Sequence, residues 1–386
     1  MSPHHPKKLS ALGHLQQMFP PSPTFCPARD MPPLPGIHCI VTGGTSGIGL
    51  STARALLAAG AHVCLMARSS WKGERLAREL EKEGFGGRVE FVPLDLGDLR
   101  SVRSAAEAYM VAHDRLHLLI NNAAVLLPGV HGAQAVSAQG YDAQFATNAL
   151  GHWHLTMLLM PLLRETLCLL PISPSPASST DSLPSLTRTV DSASPSDSLA
   201  SPSEAWSPPQ AEQSPAQQEL TAAARIGVRV LTLSSNVHQF APKGGVVWWA
   251  IQPSVPGEAR ELVRRRIGGM GLYAMSKMAN VLMSQYLART LGYTGIIFAT
   301  VHPGGIKSSL FRSAPKWQNT LTNWILYPPE YGALTALWAA TCEGGRELNG
   351  KYCIPWARVG AARGDAEDVG LQEKLVALME EMRAGF

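Results

Sequence analysis

A short apolar run, IHCIV (Ile37 to Val41), breaks at TGGTSGIG (Thr42 to Gly49) and gives way to a helical pattern that closes near Gly60. A buried strand that turns through several glycines straight into a helix is the opening of a βαβ unit. The rhythm continues downstream. HVCLMA, VEFVPLD, LHLLINNAA, RVLTLSS and GIIFATVHPGG are short apolar strand candidates, and KYCIP is a candidate seventh. Between them lie helical stretches: WKGERLARELEKEG, LRSVRSAAEAYMVAH, the long apolar GYDAQFATNALGHWHLTMLLMPLL and GLYAMSKMANVLMSQYLARTL. GLQEKLVALMEEMRAGF forms a terminal helix. Strands that read as continuous apolar runs belong to a parallel sheet covered on both faces. The pattern predicts a single doubly wound α/β domain of Rossmann type over residues 36–386.

Two stretches fall outside that rhythm. Residues 1–35 are rich in Pro and lack periodicity, which reads as an extended or disordered lead-in. Residues 172–218 are dominated by Ser and Pro with almost no large apolar side chains. Such a segment cannot bury enough surface to offset its chain entropy. It reads as a disordered loop insertion, or else as retained non-coding sequence.

Composition excludes several classes. A net charge of +4 over 386 residues is too mild for a nucleic-acid or membrane-surface protein. The most apolar stretch, LTMLLMPLLRETLCLLP, is broken by Arg164 and Glu165, so no membrane span is expected. Six cysteines without CxxC or metal-ligand spacing read as reduced thiols of a cytoplasmic protein that carries no metal.

The motifs sit at strand ends. Gly43, Gly47 and Gly49, with Thr45, Ser46 and Ile48 between them, let the backbone approach a pyrophosphate at a helix N-terminus. At the end of the second strand an acidic residue would favour NAD. Ala67 and Arg68 stand there instead, with Lys72 beyond, which favours the 2′-phosphate of NADP, NAD remaining the alternative. Asp95 and Leu96 follow the third strand, where Asp95 either meets an adenine amino group or caps the next helix. Asn122 and Ala123, within NNAA, follow the fourth strand. Asn148 lies inside an apolar helix, where Asn is disfavoured; it forms a buried hydrogen bond, holds a water in a proton relay, or both. Ser235 ends the fifth strand. Tyr273 and Lys277, at i and i+4, share a helix face, where Lys277 and an oxidised nicotinamide would depress the phenol toward working pH. Pro303, Gly304, Ile306 and Ser308 follow the sixth strand as further cofactor-binding candidates.

Taken in order, TGGTSGIG, NNAA, Asn148, the second Ser of LSS, YAMSK and HPGG resemble the short-chain dehydrogenase/reductases, over about residues 36 to 386 apart from the insertion. SKMANVLMSQYLARTL and the long gap between Ser235 and Tyr273 look closest to the retinol dehydrogenase-like and WW-domain oxidoreductase-like branch, particularly its fungal members. NNAA departs from the more usual NNAG. The resemblance implies that Ser235 polarises the substrate oxygen, Tyr273 is the acid/base, Lys277 holds the nicotinamide ribose and Asn148 belongs to the relay. It implies an NADP(H)-dependent interconversion of carbonyl and alcohol on a lipophilic or aromatic small molecule, with a homodimer compatible with it. Val246, Val247, Trp248 and Trp249 are candidates for a pocket wall, and residues 311–324 for a lid. A catalytically silent nucleotide-binding scaffold is the alternative; it would be expected to lack Tyr273 or Lys277, and both are present.

Overall fold

In a computed structural model of the chain, which describes residues 20–170, 214–307 and 326–386 together with Gly13 and Gln17, eight strands form one sheet in the order β3-β2-β1-β4-β5-β6-β7-β8. They are β1 His38–Thr42, β2 His62–Ala67, β3 Arg88–Pro93, β4 Leu118–Asn121, β5 Arg229–Leu233, β6 Ile297–Val301, β7 Tyr352–Ile354 and β8 Arg358–Gly360. Every pairing is parallel except the last, β7 with β8. The order reverses between β1 and β4, and a crevice opens at that switch point beyond the carboxyl ends of the strands.

The inner strands are mostly apolar because both faces are covered. Residues of β4, β5 and β6 are all buried. On one face lie α3 (Leu99–Ala112), α4 (Gly151–Cys168), α6 (Gly257–Leu291) and α8 (Val369–Arg383), around Tyr109, Trp153, Met275 and Phe298. On the other lie α1 (Gly47–Ala58), α5 (Pro215–Ile226) and α7 (Pro329–Thr341), around Leu56, Leu231 and Leu337. α2 (Ser70–Lys82) flanks the edge strand β3. Each such fully buried side chain contributes about 1.5–3 kcal/mol.

Four features differ from the sequence reading. The lead-in joins the domain: Phe25 and Leu34 are buried in the second core, and a helical turn covers Pro27–Asp30. The insertion expected over 172–218 ends earlier, because Ser214 caps α5 through a reciprocal capping box with Gln217; residues 171–213 lie outside the described residues. The long apolar helix, continuous from Ala143 to Cys168, is not uniformly α. It begins as a turn at Ala143–Phe145, widens into a π-type turn over Ala146–Leu150, and only then runs as α4. The expected pocket wall faces elsewhere. Val246 is core, Val247 and Trp248 pack against it, and Trp249 is 63% exposed. Lys374 sits over the Trp248 ring, 4.4 Å from its centroid. Among the described residues, no helix is long and apolar enough to cross a membrane.

Candidate active site

A cleft of about 550 Å³ opens at the switch point. The glycine loop forms its floor. Gly43 and Gly47 have φ of +65° and +53°, a region that costs other L-residues energy. A Cβ on Gly47 would meet nothing within 4 Å, so the bare backbone faces open space at the N-terminus of α1. Ser46 precedes that helix without a side-chain cap, leaving its first N–H groups for a ligand. Gly49 serves a different need: a Cβ there would come within 2.5 Å of both the Gly43 carbonyl oxygen and Asn122 Nδ2. Gly49→Ala is therefore expected to cost about 1–3 kcal/mol of stability by overpacking, read as a lower urea midpoint at unchanged slope. An unshifted midpoint would show that the loop yields freely.

Thr42, at the end of β1, ties the loop to β4. Its hydroxyl accepts from the Asn122 and Ala123 N–H groups at 2.9 and 3.0 Å, and Asn122 Nδ2 donates to the Thr42 carbonyl at 2.7 Å. The same hydroxyl lies 2.8 Å from His152 Nε2, while His152 Nδ1 lies 3.0 Å from the Asn148 carbonyl. Burial pushes His152 down to about 4, so the ring is neutral. A carbonyl only accepts, so Nδ1 carries the proton and Thr42 donates to Nε2. The sequence reading missed Thr42 and His152. Their signal was faint: a Thr before the glycines, and a His one turn after Asn148.

Asn148 is fully buried within the π-type turn, a feature that recurs at functional sites. Its Oδ1 accepts from the Val125 N–H at 2.8 Å, and its Nδ2 donates to the Val125 carbonyl at 3.0 Å and to Ser276 Oγ at 2.9 Å. Ser276 in turn donates to the Tyr273 carbonyl at 2.8 Å. The side chain is thus committed to bracing the loop after β4 against α6.

Tyr273 and Lys277 lie on the second half of α6. The helix breaks at Gly268 (φ 74°, ψ 161°), and Gly269 then packs where a Cβ would stand 2.2 Å from the Leu127 carbonyl oxygen. After this break the face bearing Tyr273 and Lys277 looks into the cleft. Lys277 Nζ donates to the Leu233 carbonyl at 2.9 Å, and Asn280 Nδ2 donates to the same oxygen. Ser234 Oγ donates to the Lys277 carbonyl at 2.7 Å, while Ser235 opens a 3₁₀ turn and accepts from the Val237 N–H at 3.3 Å. Ser235, Tyr273 and Lys277 all line the cleft. Burial alone pushes the Tyr273 phenol upward and Lys277 down to about 7. The expected lowering of the phenol by Lys277 is therefore absent in the protein alone. Desolvation disfavours the charged phenolate.

The other candidates divide as follows. Thr45, Ser46, Ile48 and Arg68 line the cleft, as do Leu96, Asn122 and Ala123. So do Pro303, Gly304 and Ile306. Lys72 joins Arg68 in lining the cleft, both exposed. Asp95 does not line it: its carboxylate accepts from the Gly97 N–H at 2.9 Å, and the cap of α3 is Asp98 instead. Ser308 and the expected lid lie outside the described residues. Sequence reasoning did not find Val125, Leu126, Val237, Met270 and Leu326, which give the cleft its apolar wall. Val125, Leu126 and Leu326 come from loops, Val237 from the 3₁₀ turn after Ser235 and Met270 from α6, all without a motif.

A parallel sheet in this order, a glycine turn at its switch point and a Ser, Tyr and Lys converging there define a nucleotide-binding oxidoreductase of the α/β class. Comparison with known proteins makes the class specific. The short chain dehydrogenase family model matches residues 38–166. A short-chain dehydrogenase/reductase of Armillaria gallica is 34% identical over 361 residues, covering 94% of each chain. Retinol dehydrogenase 11 of Homo sapiens is 30% identical over 322 residues, covering 83% of this chain and 77% of its own. Among solved structures, an uncharacterized protein of Mycobacterium paratuberculosis superposes with a TM-score of 0.57 at 24% identity, covering 93% of this chain and 97% of that one. The Pseudomonas aeruginosa RhlG/NADP complex gives 0.54 at 20%, covering 84% and 96%. The chain belongs to the short-chain dehydrogenase/reductase family, and it is an NAD(P)-dependent oxidoreductase of that family.

Proposed function

We propose that this enzyme uses NADP(H) to interconvert a carbonyl and an alcohol on a lipophilic small molecule. The observation that carries the reading is the convergence of Ser235, Tyr273 and Lys277 on the cleft that the glycine loop floors. The residues fit a dinucleotide. The space in front of Gly47 would take a pyrophosphate, the exposed Arg68 and Lys72 a 2′-phosphate, and Asn122 and Ala123 the adjoining ribose. The RhlG complex, which shares the fold, holds NADP. When bound, the nicotinamide supplies or accepts the hydride. The protein's share is the proton. Ser235 Oγ donates a hydrogen bond to the substrate oxygen, and Tyr273 gives that oxygen its proton in reduction and removes it in oxidation. Burial raises the phenol, so Tyr273 enters the reaction as a proton donor when the substrate is reduced. Oxidation is expected to quicken as pH rises, since it needs the phenolate. Lys277, lowered by burial, sits beside the ring, its Nζ 5.8 Å from the ring centroid. The apolar wall of Val125, Leu126, Val237, Met270 and Leu326 supports a lipophilic substrate, and retinol dehydrogenase 11 is a relative named for one.

Arg68→Ala tests the cofactor. Hydrogen bonds to charged groups are worth about 1.5–3 kcal/mol, so NADP affinity is expected to fall roughly ten- to hundredfold while NAD affinity stays level. Fluorescence titration of both cofactors against both proteins reads this. An NAD preference in the unsubstituted enzyme would overturn the NADP assignment and leave the hydride chemistry standing.

A further inference from the structure

At the other end of the sheet, away from the cleft, three histidines face one another. His38 and His62 begin β1 and β2 and are register partners. Cys64, two residues beyond His62, pairs with Glu90 of β3. Side chains alternate along a strand, so His38, His62 and Glu90 share the face that α3 covers. His113, the C-cap of α3, descends onto the same spot. One ring nitrogen from each of His38, His62 and His113 lies within 4.8 Å of the others. The rings are 4.7 to 5.4 Å apart between centroids.

Glu90 Oε1 and His113 Nε2 are both buried and face each other at 2.7 Å, within ion-pair distance though not aligned as a hydrogen bond. His38 Nδ1 is also buried without a partner. The His113 side chain is only 10% exposed. A buried polar group without a partner costs about 1–3 kcal/mol, and His38 Nδ1 beside the Glu90–His113 pair is such a group. His117 is not part of the set, because its Nδ1 accepts from the His38 N–H at 3.1 Å.

We propose that His38, His62 and His113, with the Glu90 carboxylate beside them, form a site for one divalent transition-metal ion, best suited to Zn²⁺. Three nitrogens and a carboxylate match zinc's ligand preference. His62, 23% exposed, leaves a way in. The site ties the amino ends of β1, β2 and β3 to the end of α3. It lies roughly 13 Å along β1 from the glycine loop, four strand steps of about 3.3 Å each, so its role is to hold the sheet edge rather than to enter the chemistry.

Chelator-stripped full-length enzyme titrated with zinc by calorimetry tests this. One saturable equivalent is expected, and saturating zinc should raise the melting temperature by about 5 °C or more. His62→Ala and Glu90→Gln should each weaken binding about tenfold or more. Glu90→Gln preserves the side-chain shape, so it remains informative if His62→Ala folds poorly. The chain also carries His4 and His5; replacing both by Ala should leave the affinity unchanged. Absence of saturable binding, full affinity in both site variants, or loss on replacing His4 and His5 would each overturn the site.

Discussion

Tyr273→Phe is expected to lower kcat/KM for carbonyl reduction by about 10²–10⁴, the usual cost of losing a positioned proton donor. The ring is 7% exposed and packed within α6, so Phe keeps its contacts and loses only the hydroxyl. Cofactor affinity and thermal stability should stay close to those of the unsubstituted enzyme. Steady-state kinetics with NADPH, paired with cofactor titration and a melting curve, separates the two effects. Turnover that survives in a folded, cofactor-binding Phe variant would remove Tyr273 from the proposed chemistry.

Asn148→Ala should instead fail as a structure. It strands the Val125 N–H and carbonyl and removes the donor to Ser276 Oγ. With about 1–3 kcal/mol for each group left unsatisfied, and partial relaxation of the loop, the loss is about 2–4 kcal/mol. The brace between the loop after β4 and the turn of α6 bearing Tyr273 goes with it, so turnover falls too. The signature that distinguishes this from Tyr273→Phe is a drop in unfolding midpoint parallel to the drop in rate. A variant of unchanged stability would mean that Val125 finds other partners.

Much of the site was legible because several of its motifs stand at strand ends. The glycine loop, Asn122 and Ser235 each follow a short apolar run, and the Tyr273/Lys277 pair reads as one face of a helix. In a parallel sheet all those ends open on one side, so reading the strands located the cleft without any long-range contact. What lies between motifs was less legible. Trp248 and Trp249 were read as a wall because they are large and apolar, yet hydrophobicity does not say which surface a short helix will cover. Asp95 and Asp98 both follow β3, and only the path of the chain there decides that Asp98 caps α3 while Asp95 turns to Gly97.

Some features have no sequence signature. Arg229 opens β5 fully buried, a place where a charge is costly. It is held because Ile226, Ala339 and Cys342 aim carbonyl oxygens at its guanidinium from the ends of α5 and α7, at 2.8 to 2.9 Å. Helix C-termini carry unsatisfied carbonyls that suit a cation, but two of them meet at one arginine only once the sheet is assembled.

The sequence by itself determined the alternation of strands and helices, and with it the family and the residues offered to the cleft, because those depend on local periodicity and on side chains a few positions apart. The tertiary structure alone decided the break at Gly268 that turns Tyr273 inward, the Asn148 brace, the protonation of His152 and the meeting of His38, His62 and His113. Each of these depends on groups far apart in the chain, and on a burial whose desolvation cost no single segment can express.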